Sequence, residues 1–109
     1  GSDFGDAYLD GADLREATLR AAQLRFAVLN AAKLAGATLT GAVLDSASLM
    51  DADLSGADLG WADFTEANLC RANLSGAKAE GAWFRRARYD AKTVFPDGFD
   101  PVAAGMISV

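Results

Sequence analysis

The chain has 109 residues, a net charge of −5, no histidine and a single cysteine. That length fits one domain; an internal disulfide is excluded, and the commonest acid–base and metal-ligating side chain is missing. Half of the residues are apolar, which argues against disorder, although many of them are alanines that bury little area.

Acidic and basic residues are mixed along the sequence. There is no basic footprint for gripping phosphate, so direct nucleic-acid binding is not expected. No apolar run approaches the ~20 residues of a membrane span, and no secretory signal is visible. A cytoplasmic, cofactor-free protein is the expectation. In chain order, residues 1–2 (Gly1-Ser2) read as the remnant of a cleavage site, which would put the natural start upstream.

Residues 3–90 are one five-residue word repeated in tandem. With each copy counted by its central residue i, the centres run from Phe4 and Leu9 to Phe84 and Tyr89, and Ala stands at i−2 from Ala7 to Ala87. An α-helix cannot use this spacing, because five residues rotate the chain by about 140° from the starting face. A flat strand fails as well, since Ala7 and Leu9 would share one face and Ala12 and Leu14 the other. The pattern works when each word is a short extended segment followed by a bend that resets the alternation. Ala and Leu then point inward in every copy.

The bends leave a signal at i+2, where Gly11, Gly36, Gly41, Gly56, Gly76 and Gly81 stand. Glycine suits the positive φ at the third position of a type II turn. Words with Glu66 or Arg71 at that place are expected to use another turn type. Proline is absent from the repeat, as a stack of parallel strands requires.

The Ala-(Asp/Asn)-Leu-x-x word, as in Ala52-Asp53-Leu54 and Ala57-Asp58-Leu59, resembles that of the pentapeptide-repeat family. The resemblance covers residues 3 to 90. It implies an all-β fold, a right-handed quadrilateral parallel β-helix with four words per coil. About four and a half coils would make a rod roughly 20 Å tall. Every twentieth residue is then a neighbour. One inner column is Phe4, Leu24, Leu44, Phe64 and Phe84, and another is Leu14, Leu34, Leu54 and Leu74. These residues are the expected core, with the Phe64 and Phe84 rings filling volume beside the small centre Ala79.

Residues 91–109 break the rhythm and are expected to cap the last coil, because an open solenoid end exposes backbone and apolar columns. The Phe95-Pro96-Asp97-Gly98-Phe99-Asp100-Pro101 segment is similar to tails of small cyanobacterial members of the family. A homodimer through a coil end or through this tail is the other use of those apolar residues.

Catalysis finds little support. Cys70 sits at an outward i+1 position, and no nucleophile stands beside a base. Asp53, Asp58 and Asp63 suggest a carboxylate cluster, but a square coil places them on three different sides, so no metal site is expected. Within the family, the quinolone-resistance type resembles duplex DNA in shape and charge and binds DNA gyrase or topoisomerase IV. That mechanism needs continuous acidic columns, and here the i−1 columns read Asp3, Gln23, Val43, Asp63, Trp83 and Asp13, Lys33, Asp53, Asn73.

The outward apolar residues are the stronger lead. Tyr8 and Val28 should adjoin in one column, with Phe26 at the neighbouring corner near Met50, and Trp61 and Trp83 should come from another corner. Exposed aromatics on a rigid face are typical of partner contacts. They serve equally well as lids lying flat over bare Gly and Ala turns. The resulting expectation is a non-enzymatic scaffold or interaction module with an unidentified protein partner; the alternative is a DNA-mimic topoisomerase inhibitor.

Overall fold

The computed structural model describes residues 2–109. Its backbone is a right-handed, four-sided coil in which each word contributes one side. Fourteen parallel bridges join i−1 residues twenty apart, from Asp3 with Gln23 to Asn68 with Arg88. Each side is so short that neighbouring coils meet through one bridged residue before the chain bends again.

Three backbone hydrogen bonds per side repeat up the rod. Around Leu54, the Leu54 N–H donates to the Asn73 carbonyl at 2.7 Å and the Gly56 N–H to the Ser75 carbonyl at 2.9 Å. The Asp53 N–H donates back to the Ala32 carbonyl at 3.0 Å. A fourth bond closes the corner, from the Ala57 N–H to the Leu54 carbonyl at 3.1 Å. With φ at +67° for Gly56, this corner is a type II turn.

The corners correct the expectation drawn from glycine. Glu66 and Arg71 both have φ at +60°, and their turns close through Ala67 to Phe64 and Ala72 to Leu69, each at 3.0 Å. Eleven non-glycine residues at i+2 adopt this left-handed conformation. It costs about 1–2 kcal/mol per L-residue. Ladder bonds fix the corner from both sides, so the coil dictates the turn whatever residue stands there.

The interior consists of the Ala and Leu columns. Leu34, Leu54 and Leu74 are fully buried, as are Phe64 and Phe84. Leu14 is only partly buried, because its coil has a neighbour on one side alone. The Phe64 and Phe84 rings stack on each other with centroids 5.1 Å apart.

Beyond Tyr89 the repeat slips by one residue. A turn from Asp90 to Thr93 places Val94 on Asn73, a spacing of twenty-one, and Val94 accepts from the Leu74 N–H at 2.7 Å. The tail then folds over the end. Phe99 meets Phe84 edge-on at 5.2 Å, Phe95 meets Tyr89 edge-on at 5.4 Å, and Phe95 stacks on Phe99 at 5.1 Å. Finally, strand Ile107–Ser108 pairs in parallel with strand Arg88–Tyr89 as one more rung. The molecule measures 31 × 21 × 20 Å.

Candidate functional site

Outward positions begin with the i−1 column, where Asp and Asn recur for a local reason. The N–H of residue i+1 has no place in the ladder, and an i−1 side chain folds back to accept from it. Asp53 Oδ1 accepts from Ser55, Asp58 from Gly60 and Asn73 from Ser75 at 3.0 Å, and Asp63 from Thr65 at 2.9 Å. This is the Asx-turn chemistry that such residues favour. The carboxylates of Asp53, Asp58 and Asp63 lie on three successive sides and each serves its own corner. They do not converge.

Bridges between coils also show how the charges alternate. Lys33 stands between Asp13 and Asp53, and Asp58 pairs with Lys78. Cys70, expected outward, is buried instead, and its N–H is held by Asn68 at 3.0 Å. Burial pushes its thiol pKa up, Asp90 adds to the shift, and Arg71 and Arg88 oppose it. A raised pKa disfavours the thiolate and therefore nucleophilic use of this residue.

The outward aromatics divide into two groups. Tyr8 and Val28 are bridge partners, with Ser48 next in the same column. Tyr8 is 85% exposed, whereas Val28 and Met50 are half-buried, and the Met50 N–H is held by Asn30 Oδ1 at 3.0 Å. Phe26 occupies its own corner at φ +61°, and the guanidinium of Arg25 lies 5.7 Å from its ring centroid. Arg25 is in turn held by Asp45, Nε to Oδ2 at 2.8 Å. Phe26 is therefore partly screened by a neighbour.

Trp61 and Trp83 lie near the capped end. Trp83 sits on Asp63 in the first side's i−1 column. Trp61 is a corner residue whose indole lies against Gly81, where a Cβ would overlap the ring. Nothing stands within 4 Å of a Cβ placed at Gly41, so the ring leans toward the C-terminal end. One face of the indole covers a glycine corner, yet the side chain stays about two-thirds exposed. Beside it is a depression lined by Thr40, Asp58, Gly60, Lys78 and Glu80.

A square, parallel β-helical solenoid with five-residue sides, Asx-capped corners in the words that carry Asp or Asn, and no metal-binding cluster of acidic or cysteine side chains among the described residues defines a class of repeat scaffold. The pentapeptide repeats family model, in eight copies, matches residues 1–34, 22–60 and 52–88, and the chain belongs to that family. Solved structures agree. A pentapeptide repeat protein from the cyanobacterium Cyanothece 51142 is 32% identical over 85% of this chain and 63% of its own, with a TM-score of 0.85. One from Nostoc Pcc 7120 is 38% identical over 98% and 84%, with a TM-score of 0.61. A third, from the thylakoid lumen of Arabidopsis thaliana, is 36% identical over 76% and 65%, with a TM-score of 0.51. The chain thus spans less than two thirds of the first of these proteins. No curated protein sequence matches it significantly.

Proposed function

We propose that this protein is a non-enzymatic interaction module, a rigid rod that holds exposed aromatic side chains at fixed heights for a protein partner. The observation that carries the reading is Trp61, locked against Gly81 on one face and two-thirds exposed overall. A side chain already held in place loses little freedom on binding, and this is what makes a preorganised aromatic an effective anchor. Tyr8, on a bridged backbone at the other end, offers a second such anchor.

The interrupted columns Asp13–Lys33–Asp53 and Asp58–Lys78 argue against the DNA-mimic reading. A gyrase supercoiling assay gives the direct comparison, and the module reading expects no inhibition at micromolar protein. The module itself is tested by affinity capture from source cells. Wild type is compared with a Tyr8→Ser/Phe26→Ser/Val28→Ser variant and a Trp61→Ser/Trp83→Ser variant, each first shown to fold. Loss of a specific partner in one variant identifies the anchor. Identical partners for all three proteins would reduce these residues to surface cover.

A further inference from the structure

The ladder is open along the first coil, where the N–H groups of Tyr8, Asp13 and Thr18 have no acceptor among the described residues, and it has a second gap near the capped end. In the rung below it, the N–H groups of Gly56, Leu59, Trp61 and Phe64 all donate, to the carbonyls of Ser75, Lys78, Glu80 and Trp83 at 2.7 to 2.9 Å. Their counterparts one coil on, Gly76, Ala79, Gly81 and Phe84, have no acceptor among the described residues. The carbonyls of Ala77 and Ala82 likewise have no donor there. On either side of the gap the tail does close the edge: the Leu74 N–H donates to Val94 at 2.7 Å and the Arg86 N–H to Gly105 at 2.8 Å. Four aligned donors and two acceptors are therefore left along the edge from Gly76 to Phe84.

Unpaired backbone at a residue as buried as Phe84, 3% exposed, is rare in a finished fold. Between this edge and the tail lies a depression of about 330 Å³, lined by Thr65, Ala82, Trp83, Phe84, Arg85 and Ala104. The vacant path is that of one more extended rung. The charges beside it are Lys78 and Arg85, with Glu80 between them. All three are exposed, and none forms an ion pair among the described residues.

We propose that the edge from Gly76 to Phe84 is a docking site for an extended acidic peptide segment of a partner protein, which adds as the missing rung. This rests on the interaction-module reading and names the kind of partner. Strand addition supplies affinity through main-chain bonds and specificity through alternate side chains. The guest continues the pattern of the coils below and runs parallel to the edge. A carboxylate over Lys78, and another over Trp83 within reach of Arg85, make opposite-charge neighbours. The residue over Glu80 is neutral or basic. A second copy of the protein is a poorer guest, because Phe95 and Phe99 cover the end onto which its first coil would have to stack.

A synthetic peptide with the sequence of residues 51–60 is a suitable probe. In register it sets the acids that precede its two leucines over Lys78 and Trp83 and its serine over Glu80. Titration into the ¹⁵N-labelled full chain should shift the amides of Gly76, Ala79, Gly81 and Phe84 and leave those of Gly36, Leu39, Gly41 and Leu44 unmoved. A Lys78→Glu/Arg85→Glu variant should bind roughly three- to tenfold more weakly, about what two exposed cross-strand charge pairs supply. No shift at millimolar peptide, or shifts elsewhere, would overturn the proposal, and undiminished binding by the double variant would overturn its acidic preference. If the edge amides shift with protein concentration alone and sedimentation shows dimers, the guest is a second copy and the peptide assignment is wrong. Silent edge amides together with partner loss through Tyr8 or Trp61 would remove this site and leave the module reading standing.

Discussion

The indole of Trp61 rests on Gly81, one coil further along the rod, and it leaves no room there for a Cβ. Gly81→Ala must therefore strain the left-handed corner and displace the ring, at a cost of about 2–3 kcal/mol. Gly41→Ala, with open space around the same corner position, carries the backbone penalty alone, about 1–2 kcal/mol. Urea denaturation of both variants measures the difference. The excess at Gly81 should vanish in a Trp61→Ala background, as expected for a directly coupled pair.

Ala31 holds φ at +60° at an exposed corner. Ala→Gly usually destabilises by loosening the unfolded chain. Here the relief of left-handed strain opposes that loss, so Ala31→Gly should be neutral or stabilising by up to about 1 kcal/mol. A clear drop in the urea midpoint would contradict the corner geometry.

Leu54 is fully buried and Leu14 half-buried in the end coil. Leu54→Ala should cost about 2–5 kcal/mol, and Leu14→Ala distinctly less. Asp53→Ala removes only the acceptor for the Ser55 N–H, an expected loss of about 1 kcal/mol, and Asp53→Asn should recover most of it. Chemical denaturation of the four variants orders the three positions.

The hydrogen bond from Arg15 to Asp13 holds that carboxyl at about 2, below its ordinary value of 3.8. Asp51 is held low in the same way by Arg71. A depressed folded pKa adds stability that is complete above the ordinary value and lost as pH falls through the folded one. The urea midpoint should therefore fall between about pH 4 and pH 2. Asp13→Asn should flatten a small part of that fall, and the part should shrink in high salt because the pair is exposed.

The columns were readable from the sequence because the family resemblance implies four sides, and a period of five on four sides stacks every twentieth residue with the i and i−2 positions turned inward. The bridges of Tyr8 with Val28 and of Asp63 with Trp83 follow directly from that period. Turn type at Glu66 and Arg71 was not readable, since the ladder and not the residue sets φ there. Nor was the burial of Cys70 at a nominally outward position. The tail's aromatic composition marked it as apolar material needing cover. Its path depends on the turn from Asp90 to Thr93 and on the return of Ile107 to the Arg88 rung, and no periodicity encodes either one. The gap from Gly76 to Phe84 was invisible for the same reason, because it is defined by where the tail does not go.

The tail seats itself on the last coil alone: Val94 lies on Asn73, Phe99 on Phe84, Phe95 on Tyr89 and Ile107 beside Arg88. A duplication of whole words well upstream of Asn73 therefore carries the last coil and its cap along together and leaves these contacts unchanged. Twenty added residues lengthen the rod by about 4.8 Å and return every lower column to its present side. Five added residues turn the lower columns by one side relative to the cap, so the end piece is indifferent to length while the alignment of the outward columns is not.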